Sequence, residues 1–230
     1  MAPPSATAPP TALPAAPTAT IQWFLPTSTP TILPSPTVLP TPDPHTGLGP
    51  AVLADGFIPG SPWQAGKFPG GTVRLASGEL VLAVTAAKGS LASIRSAPVL
   101  GDFYAEVSAS PSLCRGGDEY GLIFRQAGSA SYYRWVLTCD GQERLEQVQN
   151  GVLTPLQKSI PRAGPPVPSQ LAVRAEGSQL TFYINAIFQF SARDSAFASG
   201  SLGVFARAAG DTPLTVSFSG LSIFSLAAQG

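Results

Sequence analysis

From residue 71 to residue 225 the chain is written in short runs of alternating apolar and polar residues, each closed by a tight-turn signal. Leu171, Val173 and Ala175 oppose Ala172 and Arg174, and Leu180, Phe182 and Ile184 oppose Thr181 and Tyr183. Phe103, Ala105 and Val107 oppose Tyr104, Glu106 and Ser108. A period of two with one apolar face is the mark of a half-buried strand. Ser77-Gly78, Asp140-Gly141, Asn150-Gly151 and Glu176-Gly177-Ser178 supply the positive φ of tight hairpin turns. Asn185-Ala186 stands where a hairpin Asn-Gly is expected, with an alanine less suited to the left-handed conformation. No helical periodicity is sustained over three turns. The alternation predicts strands at 73–76, 79–85, 92–96, 102–108, 119–126, 132–138, 142–149, 152–160, 171–176, 179–185, 201–207 and 214–225. Twelve strands at this spacing predict an all-β fold, an antiparallel two-sheet sandwich of jelly-roll type.

Composition divides the chain near residue 50. Residues 1–50 hold 14 of the 25 prolines and carry Asp43 as their one charged residue. Proline removes amide donors and pushes the preceding residue out of the helical region, so a disordered, extended Pro/Thr-rich linker or stalk is expected here. Fully extended it would reach on the order of 150 Å. Ile21-Gln22-Trp23-Phe24-Leu25 interrupts it with four large apolar side chains, a candidate anchor for a protein partner. Residues 51–230 hold all 13 Lys and Arg and are expected to form one domain.

Several functions are disfavoured. Thirteen basic residues balance thirteen acidic ones, so no basic stripe points to nucleic acid. One histidine and two cysteines cannot build an ordinary zinc site. No run of about 18 apolar residues predicts a membrane-spanning helix.

Asp118-Glu119-Tyr120-Gly121-Leu122-Ile123-Phe124-Arg125, then Tyr132-Tyr133-Arg134-Trp135 and Asp140-Gly141, resemble the concanavalin A-like lectin/glucanase superfamily. Leu180–Asn185, Gly200–Ala206 and Val216-Ser217-Phe218 extend the likeness, and Asp55-Gly56-Phe57 with Trp63 fits the opening of such domains. Within the superfamily the sequence resembles laminin-G-like and 3-keto-disaccharide-hydrolase-like domains of exported bacterial proteins. The resemblance implies a sandwich that binds, or acts on, saccharides. The Glu-x-Asp-x-x-Glu strand of the glucanases is missing, and residues 51–230 contain no histidine to act as a base. Asp118 and Glu119 are adjacent and face oppositely, as do Glu143 and Glu146, whereas a glycosidase needs two carboxyls on one site.

Cys114 and Cys139 fall at the same end of one predicted hairpin, close enough for a disulfide. A bridge implies an oxidising compartment and hence export to the cell surface or beyond, by a signal not visible in this chain. No metal or cofactor is expected: Arg115, Asp118, Asp140 and Asp211 are scattered over the loops of the cysteine end and read as solvated turn residues, with calcium at that rim the alternative. Sugars stack an apolar ring face on an aromatic side chain while planar polar groups take their hydroxyls. Arg125, Tyr133, Trp135, Arg144 and Tyr183, with Arg174, are the candidate glycan-binding residues, although Tyr133 and Trp135 alternate as core residues would. The expected function is a non-catalytic extracellular carbohydrate-binding or adhesion module on a stalk. The alternatives are a saccharide hydrolase drawing on Asp118 with Glu143 or Glu146, and a structural surface or assembly protein.

Overall fold

The structure is a computed structural model, and it describes residues 43–162, 168–211 and 213–227. Ile21–Leu25 and most of the Pro/Thr-rich segment lie outside the described residues. Among those residues there is no helix. The strands are β1 (Leu48–Asp55), β2 (Gly66–Phe68), β3 (Gly71–Ala76), β4 (Glu79–Val84), β5 (Ser90–Leu100), β6 (Phe103–Leu113), β7 (Glu119–Gly128) and β8 (Ser131–Thr138). They continue as β9 (Gln142–Gln149), β10 (Val152–Pro161), β11 (Ser169–Glu176), β12 (Gln179–Ile184), β13 (Ile187–Arg193), β14 (Gly200–Arg207) and β15 (Leu214–Leu226).

Two antiparallel sheets pack face to face. One runs β13-β12-β11-β6-β15-β4-β3-β2, with β1 added against the second half of β15. The other runs β10-β9-β8-β7-β14-β5. The period-two alternation sets what each sheet turns inward. From the nine-stranded sheet come Phe103, Ala105, Val107, Leu171, Val173, Leu180 and Phe182, and from the six-stranded sheet Tyr120, Leu122, Phe124, Tyr133, Trp135 and Leu137. Phe182 joins the layers, with its ring 5.0 Å from Trp135, 6.0 Å from Phe124 and 4.7 Å from Phe190. Aromatic pairs at such separations contribute beyond their burial alone.

The twelve expected strands are present. β1, β2 and β13 are additional, and β1 begins at Leu48, on the linker side of the composition break. The Asp55 carboxylate organises the opening turn: it accepts from the Phe57 amide at 2.8 Å, the Trp63 indole at 3.0 Å and Arg95 Nε at 2.9 Å. Burial alone would raise the Asp55 pKa, but these bonds and the Arg95 charge bring it below the usual carboxylate range. Asn185 and Ala186 both adopt positive φ, 51° and 62°, so the β12–β13 hairpin does place an alanine in the left-handed region. Cys114 and Cys139 form a disulfide with their Cα atoms 5.6 Å apart.

Candidate functional site

The expected glycan-binding residues separate into three places. Tyr133 and Trp135 are in the core, each 0 % exposed, and offer no ring face to a ligand. The Tyr133 hydroxyl donates to Asp194 and accepts from the Phe197 amide. Burial, reinforced by the bond to Asp194, pushes its pKa up to about 12. The Trp135 indole donates to the buried Glu143 at 3.1 Å.

Arg125 is also interior, 1 % exposed. Strand parity would set it on the outer surface, but the register slips between Phe124 and Gly128 and Arg125 takes a φ of 47°, turning its side chain inward. Its guanidinium donates to the carbonyls of Gly101, Gly177 and Phe197 and pairs with Asp102 at 3.0 Å. It therefore pins three loops together. Burial lowers its pKa, against the pull of Asp102. Tyr183 and Arg174 lie on the outer face of the nine-stranded sheet. Of the five, only Arg144 is on the outer face of the six-stranded sheet.

That outer face carries a ladder of ion pairs across β9, β8, β7 and β14. Arg144 donates from Nε to Glu146 at 2.6 Å and from Nη2 to Glu119 at 2.8 Å. Arg134, opposite Glu146 in the register, donates to it through Nε at 2.8 Å and through Nη2. Arg207, opposite Glu119, pairs with it at 3.3 Å. Burial alone would lower the Arg144 pKa, yet its bonds to Glu146 and Glu119 raise it. Below the ladder Ile123, Val136 and Phe205 form a buried apolar floor, with Ile94 and Tyr132 packed against it. Arg134 rests its guanidinium 5.1 Å above the Phe205 ring, a cation–π contact. Gly121 permits this, since a Cβ there would meet the Trp135 carbonyl at 2.0 Å and the Phe205 ring at 3.3 Å.

Next to the ladder the same face opens into a groove of about 510 Å³. Tyr132 and Ile123 contribute apolar surface, Gln64 and Gln126 contribute amides, and Ser129 and Ser201 contribute hydroxyls. Tyr132 precedes Arg134 by two residues on β8, one step along the same face. A half-exposed ring beside neutral donors and acceptors, continued by a row of guanidinium groups, is suited to a polyhydroxylated ligand. Tyr132, Arg134, Gln126 and Glu119 were not among the expected ligand-binding residues. Their signal in the sequence is phase: Tyr132 and Arg134 alternate against Tyr133 and Trp135.

The acids considered for hydrolysis lie apart. Asp118 accepts from the Arg115 and Ala209 amides, each at 2.9 Å, and organises its loop. Glu143 points into the core, where burial, opposed by the Trp135 bond and the Arg162 charge, raises its pKa to about 7. Glu146 is on the outer ladder. Among the described residues no group of three or more His, Cys, Asp or Glu side chains gathers where it could hold a metal ion. No described helix is long and apolar enough to cross a membrane.

No protein-family model matches the sequence, and no curated protein does either. The fold has many solved counterparts. A Bacillus subtilis protein of unknown function with a galectin-like fold is 11 % identical, with a TM-score of 0.62 over 79 % of this chain and 99 % of that one. The β-glucanase of Bacillus licheniformis is 15 % identical, with a TM-score of 0.57 over 77 % of this chain and 98 % of its own. The carbohydrate binding module CBM66 from Bacillus subtilis is 16 % identical, with a TM-score of 0.50 over 72 % and 96 %. At these identities the likeness is one of fold: the described residues share the antiparallel two-sheet jelly roll of these proteins.

Proposed function

We propose that the protein is a non-catalytic, extracellular carbohydrate-binding module that takes a saccharide on the outer face of its six-stranded sheet. The observation that carries this reading is the continuity of the Tyr132 groove with the Arg134–Glu146–Arg144 ladder. Tyr132 stacks on the apolar face of a sugar ring. Gln64, Gln126, Ser129 and Ser201 exchange hydrogen bonds with its hydroxyls, and Arg134 meets the next residue along the polymer. Because the Arg–Glu ladder is already paired, its guanidinium groups are held in place before ligand arrives, which limits the ordering cost of binding. The carbohydrate-binding and glycosidase neighbours support the ligand class, and the Cys114–Cys139 bridge supports an oxidising, extracellular setting. The Pro/Thr-rich segment serves as the stalk that displays the domain.

The test is affinity electrophoresis of the full chain through gels containing a panel of polysaccharides. One polymer retards the wild-type protein and is recovered with its length unchanged. Tyr132→Ala weakens that retardation by about tenfold or more. Equal retardation of wild type and variant removes the groove from the site, and shortening of the polymer replaces the module with a hydrolase.

A further inference from the structure

Tyr183 and Arg174 belong to a second concavity, on the opposite side of the molecule from the Tyr132 groove. It holds about 370 Å³ on the outer face of the nine-stranded sheet. Strand register arranges its floor in two rows. One row is Tyr183 and Phe188 across β12 and β13, and the other is Arg174, Thr181 and Ser191 across β11, β12 and β13. Residues two apart on one strand face are roughly 6–7 Å apart, about the width of a sugar ring. Phe188 is 40 % exposed and turns edge-on to Tyr183, with centroids 6.1 Å apart.

The wall of this groove is the segment that precedes β1. Residues 43–47 come before the first strand of the sandwich, yet they are tied to the sheet at three points. His45 Nε2 is 3.2 Å from the Glu106 carboxylate, and its ring meets Tyr104 edge-on at 5.4 Å. The Thr46 carbonyl accepts from Arg174 Nη1 at 2.7 Å. The Gly47 carbonyl accepts from the Ala227 amide at 3.0 Å. Asp43 and Thr46 thereby stand over the floor and turn a flat sheet face into a groove.

We propose that this groove is a second binding site, for a neutral saccharide, independent of the Tyr132 groove. The exposed ring of Phe188, backed by the buried Tyr183, stands beside a row of hydroxyls and a guanidinium and matches a sugar with an apolar face and a hydroxylated edge. Arg174 is paired with Glu176 at 3.2 Å and Asp43 stands opposite, so the groove has no surplus positive charge to attract an anion. Two sites on opposite faces let one domain bridge two glycan chains, so that linkage adds avidity without further contacts.

The experiment is a two-dimensional amide NMR titration of the full chain with glucose, galactose, mannose, fructose and xylose in turn. At least one sugar shifts the amides of Thr181, Tyr183, Phe188 and Ser191. Phe188→Ala and Arg174→Gln each weaken that response by about tenfold and leave the Gln126 and Tyr132 amides as they were. The unshifted remainder of each spectrum shows that the variant is folded. Absence of any shift at the four amides, or an unchanged titration in both variants, overturns the second site. Shifts confined to Gln126 and Tyr132 overturn it while sustaining the proposed function, and shifts confined to the Tyr183 face do the reverse.

Discussion

Glu143 makes the stability of this domain depend on pH in a direction opposite to that of an ordinary paired carboxylate. Its side chain is buried on the core face of β9, 1 % exposed, and accepts from the Trp135 indole. Burial outweighs that bond and the Arg162 charge, and its pKa rises from 4.5 to about 7. Because the folded value exceeds the unfolded one, the neutral acid is the form that the fold favours. Its contribution is fully present below about pH 4.5 and is lost as pH rises through about 7. The separation of the two pKa values corresponds to roughly 3 kcal/mol, at about 1.4 kcal/mol per unit. Urea unfolding across this window measures the effect in wild type and in Glu143→Gln. Glutamine keeps a carbonyl oxygen for the indole and cannot ionise. The wild-type unfolding free energy should fall by about 3 kcal/mol relative to the variant between the two ends of the window. His45 is present in both proteins, so the difference isolates Glu143. Any change in the pairing of Arg162 offsets the variant as a whole without changing its slope. Parallel curves for the two proteins would refute the reasoning.

Two further stability changes follow from the backbone. Ala186 has a φ of 62° in the β12–β13 turn, where a Cβ costs about 1 kcal/mol, so Ala186→Gly should raise the melting temperature. An unchanged or lower value would count against a strained turn. The Cys114–Cys139 bridge spans a sequence separation of 25, and the Cys114→Ser, Cys139→Ser double variant should lose on the order of 3 kcal/mol in urea unfolding. A loss close to zero would show that the bridged hairpin is already ordered in the unfolded chain.

Alternation made the strands legible but left open which of two apolar phases faces inward. In Tyr132-Tyr133-Arg134-Trp135 both phases carry an aromatic ring, so β8 alone does not decide between them. The decision is made by tertiary packing, in which Phe124 on the neighbouring β7, Phe182 on the opposite sheet and Phe197 before β14 supply ring partners for Tyr133 and Trp135. Tyr132 and Arg134 are left outside as a consequence. Arg125 was illegible for a different reason: a local register slip reverses its parity, and its four partners come from loops scattered between Gly101 and Phe197. The short β2 has no room to express a period, and β13 follows a turn whose second residue is alanine where glycine is the usual signal.

The charged face shows most clearly what strand order adds. Arg134 and Glu146 face each other on neighbouring strands, β8 and β9, and two in-phase polar residues joined by an Asp-Gly turn could have been paired from the sequence. Arg207 could not. It meets Glu119 only because β14 lies between β7 and β5, a placement set by the core packing of Leu202, Val204 and Ala206 on the other side of the same strand. The apolar phase of β14 thus determines where its polar phase is delivered. One strand-order decision brings Arg207 to Glu119 and sets Phe205 beneath Arg134. The ladder is therefore a product of core packing, and substitutions that repack Leu202 or Val204 should disturb the outer face without touching it.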